Sequence, residues 1–133
     1  MRRLLALSVV ALSLAAGGVM EAGASPTATT PVKVGPPVLL SPVTQTTGCK
    51  VRGPLPDAGC TPGAYFKLAT KAKVCAPGYS ATVRNVTQAT KNAVYAEYGI
   101  SVHFNGGSGE VDHLVSLELG GANVIANLFP EAA

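Results

Sequence analysis

The chain has 133 residues, room for one modest domain and little besides. A formal net charge of +3 at pH 7 is too small to mark a nucleic-acid-binding protein by itself, and the three cysteines form no CxxC pair of the kind a structural zinc site needs. Mean hydropathy is positive, at +0.32, but much of that apolar character sits in the opening stretch and not in a folded core.

Residues 1–24, MRRLLALSVVALSLAAGGVMEAGA, have the three parts of a secretory signal. Arg2 and Arg3 form a basic start, residues 4–19 an apolar middle, and Ala22, Gly23 and Ala24 the small residues that signal peptidase requires. The apolar run is about 16 residues, short of the roughly 20 that span a bilayer, and no charged stop-transfer cluster follows it. Cleavage after Ala24 is expected, with a secreted or periplasmic destination. That compartment is oxidising, so Cys49, Cys60 and Cys75 read as disulfide candidates. Three cysteines allow one bridge and leave one over, and the spacing leaves the pairing open.

Residues 25–46 are rich in proline and threonine and nearly uncharged, and they read as an extended linker. The folded unit is then expected over 47–133. A chain of that size buries only about 60–65% of its unfolded surface, so a disulfide worth roughly 2–5 kcal/mol suits it.

Turn signals punctuate the first half of this unit. Cys60-Thr-Pro-Gly63 and Cys75-Ala-Pro-Gly78 each read as a cysteine leading into a Pro-Gly type II turn. The clearest helix is expected over residues 86–98, with Asn85 as N-cap, Gln88 as its capping-box partner and Gly99 at C′. Val94, Tyr95 and Tyr98, with Ala89 or Thr90 a turn earlier, form its core-facing stripe. Residues 105–109 form a glycine-rich turn that lacks the lysine and hydroxyl of a phosphate-binding loop. Residues 110–117 read as a strand, Gly120-Gly121 as a turn, and residues 123–129 as the start of another short element.

Charge is split along the chain. Lys50, Arg52, Lys67, Lys71, Lys73, Arg84 and Lys91 lie between 50 and 91 against Asp57 alone. Glu97, Glu110, Asp112, Glu118 and Glu131 lie between 92 and 133 with no lysine or arginine. A basic face beside an acidic one would suit an enzyme acting on phosphodiesters.

The segment EVDHLVSLELGGANVIANLFPE, residues 110–131, resembles the HNH nuclease superfamily: Asp-His on a strand, a Gly-Gly loop, then Asn-Leu on a second strand. With Cys-Thr-Pro-Gly, Cys-Ala-Pro-Gly-Tyr-Ser, Val-Arg-Asn-Val and Tyr-Ala-Glu-Tyr-Gly-Ile upstream, it is similar to a group of small secreted HNH-like proteins, over roughly residues 59–131. The resemblance implies an α+β domain, disulfide-stapled, in which one clear helix precedes the β-hairpin of a ββα-metal motif. It implies His113 as general base, Asp112 as ligand to a divalent ion such as Mg²⁺ or Mn²⁺, and Asn127 as the central asparagine that braces the hairpin and completes the catalytic set. Asn123 fits the loop as a structural residue, and His103 reads as a surface residue. Asp112 and His113 are adjacent on a strand, so their side chains point to opposite sides.

The expected activity is metal-dependent hydrolysis of nucleic-acid phosphodiester bonds, DNA foremost. The alternative is a non-catalytic extracytoplasmic protein that keeps the HNH scaffold for binding or structure. The chain reaches Ala133 where the resemblance would continue into a closing helix that carries the third motif residue and a further cysteine. That helix is therefore expected to be missing, the odd cysteine to lack its partner, and activity to be weak. Ser116 stands where the resemblance has proline.

Overall fold

The computed structural model describes residues 31–101 and 110–131. The expected leader, residues 25–30 of the expected linker, His103 and the glycine-rich turn at 105–109 lie outside them. The α+β class is as expected: two two-stranded antiparallel sheets, short helices and one disulfide.

β1 (Pro37–Leu39) pairs antiparallel with β2 (Ala64–Phe66), Pro37 opposite Phe66 and Leu39 opposite Ala64. This strand lies inside the segment read as linker. Proline suits it because the strand is an edge, where one row of backbone donors needs no partner. The segment is tied down further by Val32 and Val34, which pack against the second core, and by Leu68 N–H donating to Val34 C=O at 2.8 Å. Residues 32–39 therefore belong to the fold.

Two one-turn helices follow, α1 (Lys71–Val74) and α2 (Tyr79–Val83). Between them Ala76-Pro77-Gly78-Tyr79 makes the expected type II turn. Gly78 holds φ 75° and ψ 8°, and Tyr79 N–H donates to Ala76 C=O at 3.1 Å. The matching Pro62-Gly63 does not close in that way. The Ala64 N–H that would complete it donates instead to Asn127 Oδ1, at 3.1 Å.

α3 (Gln88–Glu97) is the clearest helix, as expected, but it starts later than the sequence suggests. Thr87 is its N-cap: Thr87 Oγ1 accepts from Thr90 N–H at 3.1 Å, while Gln88 turns forward to Asn92 at 2.8 Å instead of back to Asn85. Its end follows the expected pattern. Gly99 has φ 65°, and Ile100 N–H returns to Tyr95 C=O at 2.9 Å, a Schellman closure.

β3 (Val111–His113) and β4 (Leu128–Pro130) form the second sheet, with Asp112 opposite Phe129 and His113 opposite Leu128. β3 is shorter than the strand expected over 110–117, because beyond Leu114 both backbone groups of Val115 are taken by the side chain of Asn127. The intervening chain makes two 3-10 turns, Leu117–Leu119 and Ile125–Asn127. Between them Gly120 takes φ 89°, and Gly121 passes so close to the Val115 carbonyl oxygen that a Cβ would fall on it.

Two cores result. Val94, Tyr95 and Tyr98 from α3 pack with Val111, Leu128, Phe129 and the Cys49–Cys60 disulfide. Tyr79, Val83 and Leu117 form the smaller one, with Phe66 and Val74 against it. Ala89 and Thr90 are not among the buried residues.

Beside the disulfide a polar chain links distant parts. Tyr98 OH donates to Thr61 Oγ1 at 2.8 Å, Thr61 donates to Leu128 C=O at 3.1 Å, and Asp57 N–H donates to Tyr98 OH at 3.2 Å. Cys75 is free and exposed. No helix among the described residues is long and apolar enough to cross a membrane.

Thiol titration of the folded chain should find one reactive group, at Cys75, and three after reduction and unfolding. Breaking the bridge, which spans a separation of 11 residues, should cost roughly 3 kcal/mol in urea unfolding. Gly121→Ala should cost roughly 3 kcal/mol or more, and a variant as stable as the parent would contradict the close approach at Val115.

Candidate functional site

The alternation of β3 sorts the side chains. Val111 and His113 turn inward, and Asp112 turns out to solvent. The adjacent pair thus serves two different faces of the sheet, as the sequence implies.

Asn127 sits at the centre of the inward side, at 0% exposure. Its Oδ1 accepts from the N–H of Ala64 at 3.1 Å and of Val115 at 2.9 Å. Its Nδ2 donates to the C=O of Val115 at 3.1 Å and of Ala122 at 2.9 Å. A primary amide has two donor hydrogens and two acceptor lone pairs, so every one is used on backbone. Asn127 therefore touches no substrate; it positions the loop at 114–122 against β2 and leaves His113 where that loop begins.

The imidazole of His113 is 7% exposed. Its Nε2 lies 3.0 Å from Asn123 Oδ1, and Asn123 Nδ2 donates to Val83 C=O at 2.7 Å. A carbonyl only accepts, so the amide's NH₂ faces Val83 and its oxygen faces the ring. Nε2 must then carry the proton, and Nδ1 is left with the lone pair. Burial pushes the imidazole below its ordinary value. The Asn123 hydrogen bond acts against that shift, and the nearby Arg84 charge adds to it.

Asn123, read from sequence as structural, thus fixes the tautomer of the candidate base. Its partner Val83 is 40 residues away on α2, so no local pattern announces the contact. Sequence reasoning counted Arg84 only among the basic residues of 50–91; it follows Val83 directly and is exposed. Across from α2, Glu118 bonds Ser116 and Ser80, which hold its carboxyl below the usual range.

Asp112 stands apart from this group. Its Oδ1 accepts from its neighbour's amide, His113 N–H, at 2.7 Å. It lines a cleft of about 430 Å³ with Gly53, Pro54, Phe129 and Glu131. Among the described residues no three His, Cys, Asp or Glu side chains converge as a ligand set. Two carboxylates on one open cleft do not fit a resident Mg²⁺ or Mn²⁺. They suit such an ion only where a substrate phosphate supplies further oxygens.

Replacing Asn127 by leucine should strand two N–H and two C=O groups and cost roughly 3 kcal/mol or more, read by urea unfolding. In an NMR titration His113 should protonate below the roughly 6.5 of a free imidazole. Since folding lowers its affinity for a proton, its contribution to stability is present above about pH 6.5 and is lost as pH falls through the folded value. A His113 that titrates above 6.5 would contradict its burial.

Comparison with known proteins returned no match: no family model fits the chain, and neither a curated protein nor a solved structure matches it.

Proposed function

We propose that this chain is an exported HNH-type nuclease, hydrolysing phosphodiester bonds of nucleic acid, DNA foremost, with His113 as general base. The observation that supports this reading most is the line Val83–Asn123–His113. It holds the ring in one tautomer, with Nε2–H engaged and Nδ1 free to take a proton from an attacking water. Burial keeps that ring neutral near pH 7, as a base must be. A base so placed is worth roughly 10²–10⁴ in rate. Asn127 serves by holding the loop that follows His113.

Asp112, on the opposite face, is the residue proposed to meet a divalent ion, Mg²⁺ or Mn²⁺, that arrives with the phosphate. When bound, that ion would offset negative charge developing at phosphorus. Because Asp112 and Glu131 are the only carboxylates on that cleft among the described residues and would hold such an ion loosely, slow turnover is expected. Export to an oxidising compartment belongs to the same reading, and the Cys49–Cys60 bridge is compatible with it.

A second reading is favoured by a specific observation, the absence of a three-donor ligand set among the described residues. In that reading the hairpin is kept as a scaffold, and the chain binds or supports something outside the cytoplasm without chemistry.

Cleavage of a labelled DNA in Mg²⁺ or Mn²⁺, compared with EDTA, decides between them. The catalytic reading expects slow, metal-dependent cleavage that falls at least about a hundredfold in His113→Ala and also falls in Asp112→Ala. The scaffold reading expects no cleavage and a thermal midpoint indifferent to either ion, since an ion that binds only the folded chain must raise it. Cleavage that survives both EDTA and His113→Ala would sink the catalytic reading.

A further inference from the structure

A groove of about 390 Å³ opens beside the Val83–Asn123 contact, between the end of α2 and the segment carrying β1. Its volume lies within the range of small-ligand sites, about 300–1,000 Å³. Val34, Phe66 and Val124 give it an apolar and aromatic lining, and Thr82, Asn85 and Asn123 add polar groups. The Asn85 amide makes no hydrogen bond among the described residues. Asn123 is shared: one side of its amide orients His113, and the residue also lines the groove. Whatever fills the groove therefore lies against the residue that orients the candidate base.

Arg84 sits between groove residues Val83 and Asn85. Its guanidinium is exposed and makes no ion pair or hydrogen bond among the described residues. A planar guanidinium with five donors suits a phosphate better than any other side chain.

Resting on the nuclease reading, we propose that this groove seats one unstacked nucleotide of the substrate, and that Arg84, beside the groove, holds its phosphate. The apolar lining with Phe66 receives the base, and the Asn85 amide meets a base edge. A base inside a duplex is stacked and paired, so it cannot enter without leaving the helix, at a cost in free energy. Single-stranded or frayed nucleic acid is therefore the preferred substrate, and paired duplex the poorer one. Arg84 is a positioning residue: it places the phosphate and takes no proton.

The test is fluorescence anisotropy of a short labelled single-stranded DNA with the full chain in EDTA, so that binding is read without turnover. Arg84→Gln should weaken binding about tenfold and lower the slope of log affinity against log salt by about one. Asn85→Ala should weaken binding severalfold with the salt slope unchanged. Lys91→Gln, on α3 and outside the groove, should bind as the parent does. A duplex of the same sequence should bind more weakly than the single strand. Circular dichroism checks that each exposed substitution leaves the fold intact. The proposal is overturned if Arg84→Gln and Asn85→Ala bind like the parent, if duplex binds as tightly as single strand, or if the parent binds neither. The cleavage assay on His113→Ala is read separately. Arg84-dependent binding by a chain that never cleaves keeps the groove and removes the nuclease; His113-dependent cleavage with a neutral Arg84→Gln does the reverse.

Discussion

One side chain organises this domain. The amide of Asn127 makes four hydrogen bonds to backbone, reaching β2 through Ala64, the end of β3 through Val115, and the return loop through Ala122. No sheet among the described residues is large enough to bury those groups by ordinary strand pairing, since each has two strands of three residues. A buried amide does in their place what a third strand would do. Each bond contributes only about 1 kcal/mol net, but an unmade bond at a buried site costs more than a made one gains. The arrangement is therefore closer to all-or-none than its individual energies suggest.

The candidate site inherits its order from that amide. Because Asn127 pins Val115, the chain after His113 leaves the strand at a fixed point, and the imidazole comes to rest against Asn123. Asn123 in turn is anchored on α2, which packs on the smaller core through Tyr79 and Val83. The candidate base is thus supported from two cores. On the outer face, Asp112 has, among the described residues, its own neighbour's amide and an open cleft around it. The difference in support between the two faces is why the histidine carries the functional argument and the carboxylate carries less of it.

Much of this was legible in the sequence where the signal is local. Val94, Tyr95 and Tyr98 at helical spacing marked the buried face of α3, and Gly99 marked its end. Strand alternation placed Asp112 and His113 on opposite faces, and the resemblance of residues 110–131 to the HNH pattern implied that Asn127 is a brace. What escaped depends on contacts between residues far apart in the chain. The prolines of 31–46 signal an extended segment, which is correct, but extension alone does not distinguish a linker from an edge strand; only the partner at 64–66 does. Asn85 and Thr87 are both capable N-caps, and the choice fell to whichever oxygen reached a free amide, Thr90 N–H. The orientation of His113 depends on a carbonyl 30 residues upstream, in a helix too short for periodicity to reveal.

The distance in sequence between Asn127 and the groups it holds has a consequence for the order of events as the protein is made. Its bond to Ala64 closes a separation of 63 residues, and Thr61 reaches Leu128 across 67. Until the ribosome has added Asn127, Ala64 and Val115 lack their partner, and β3 has no β4 to pair with. Contacts so distant in sequence close slowly, because the loop between them must be ordered first. The stretch between Thr61 and Leu128 therefore stays open until Leu128 has been added, a state in which it can be threaded through a narrow channel and need not be unfolded first.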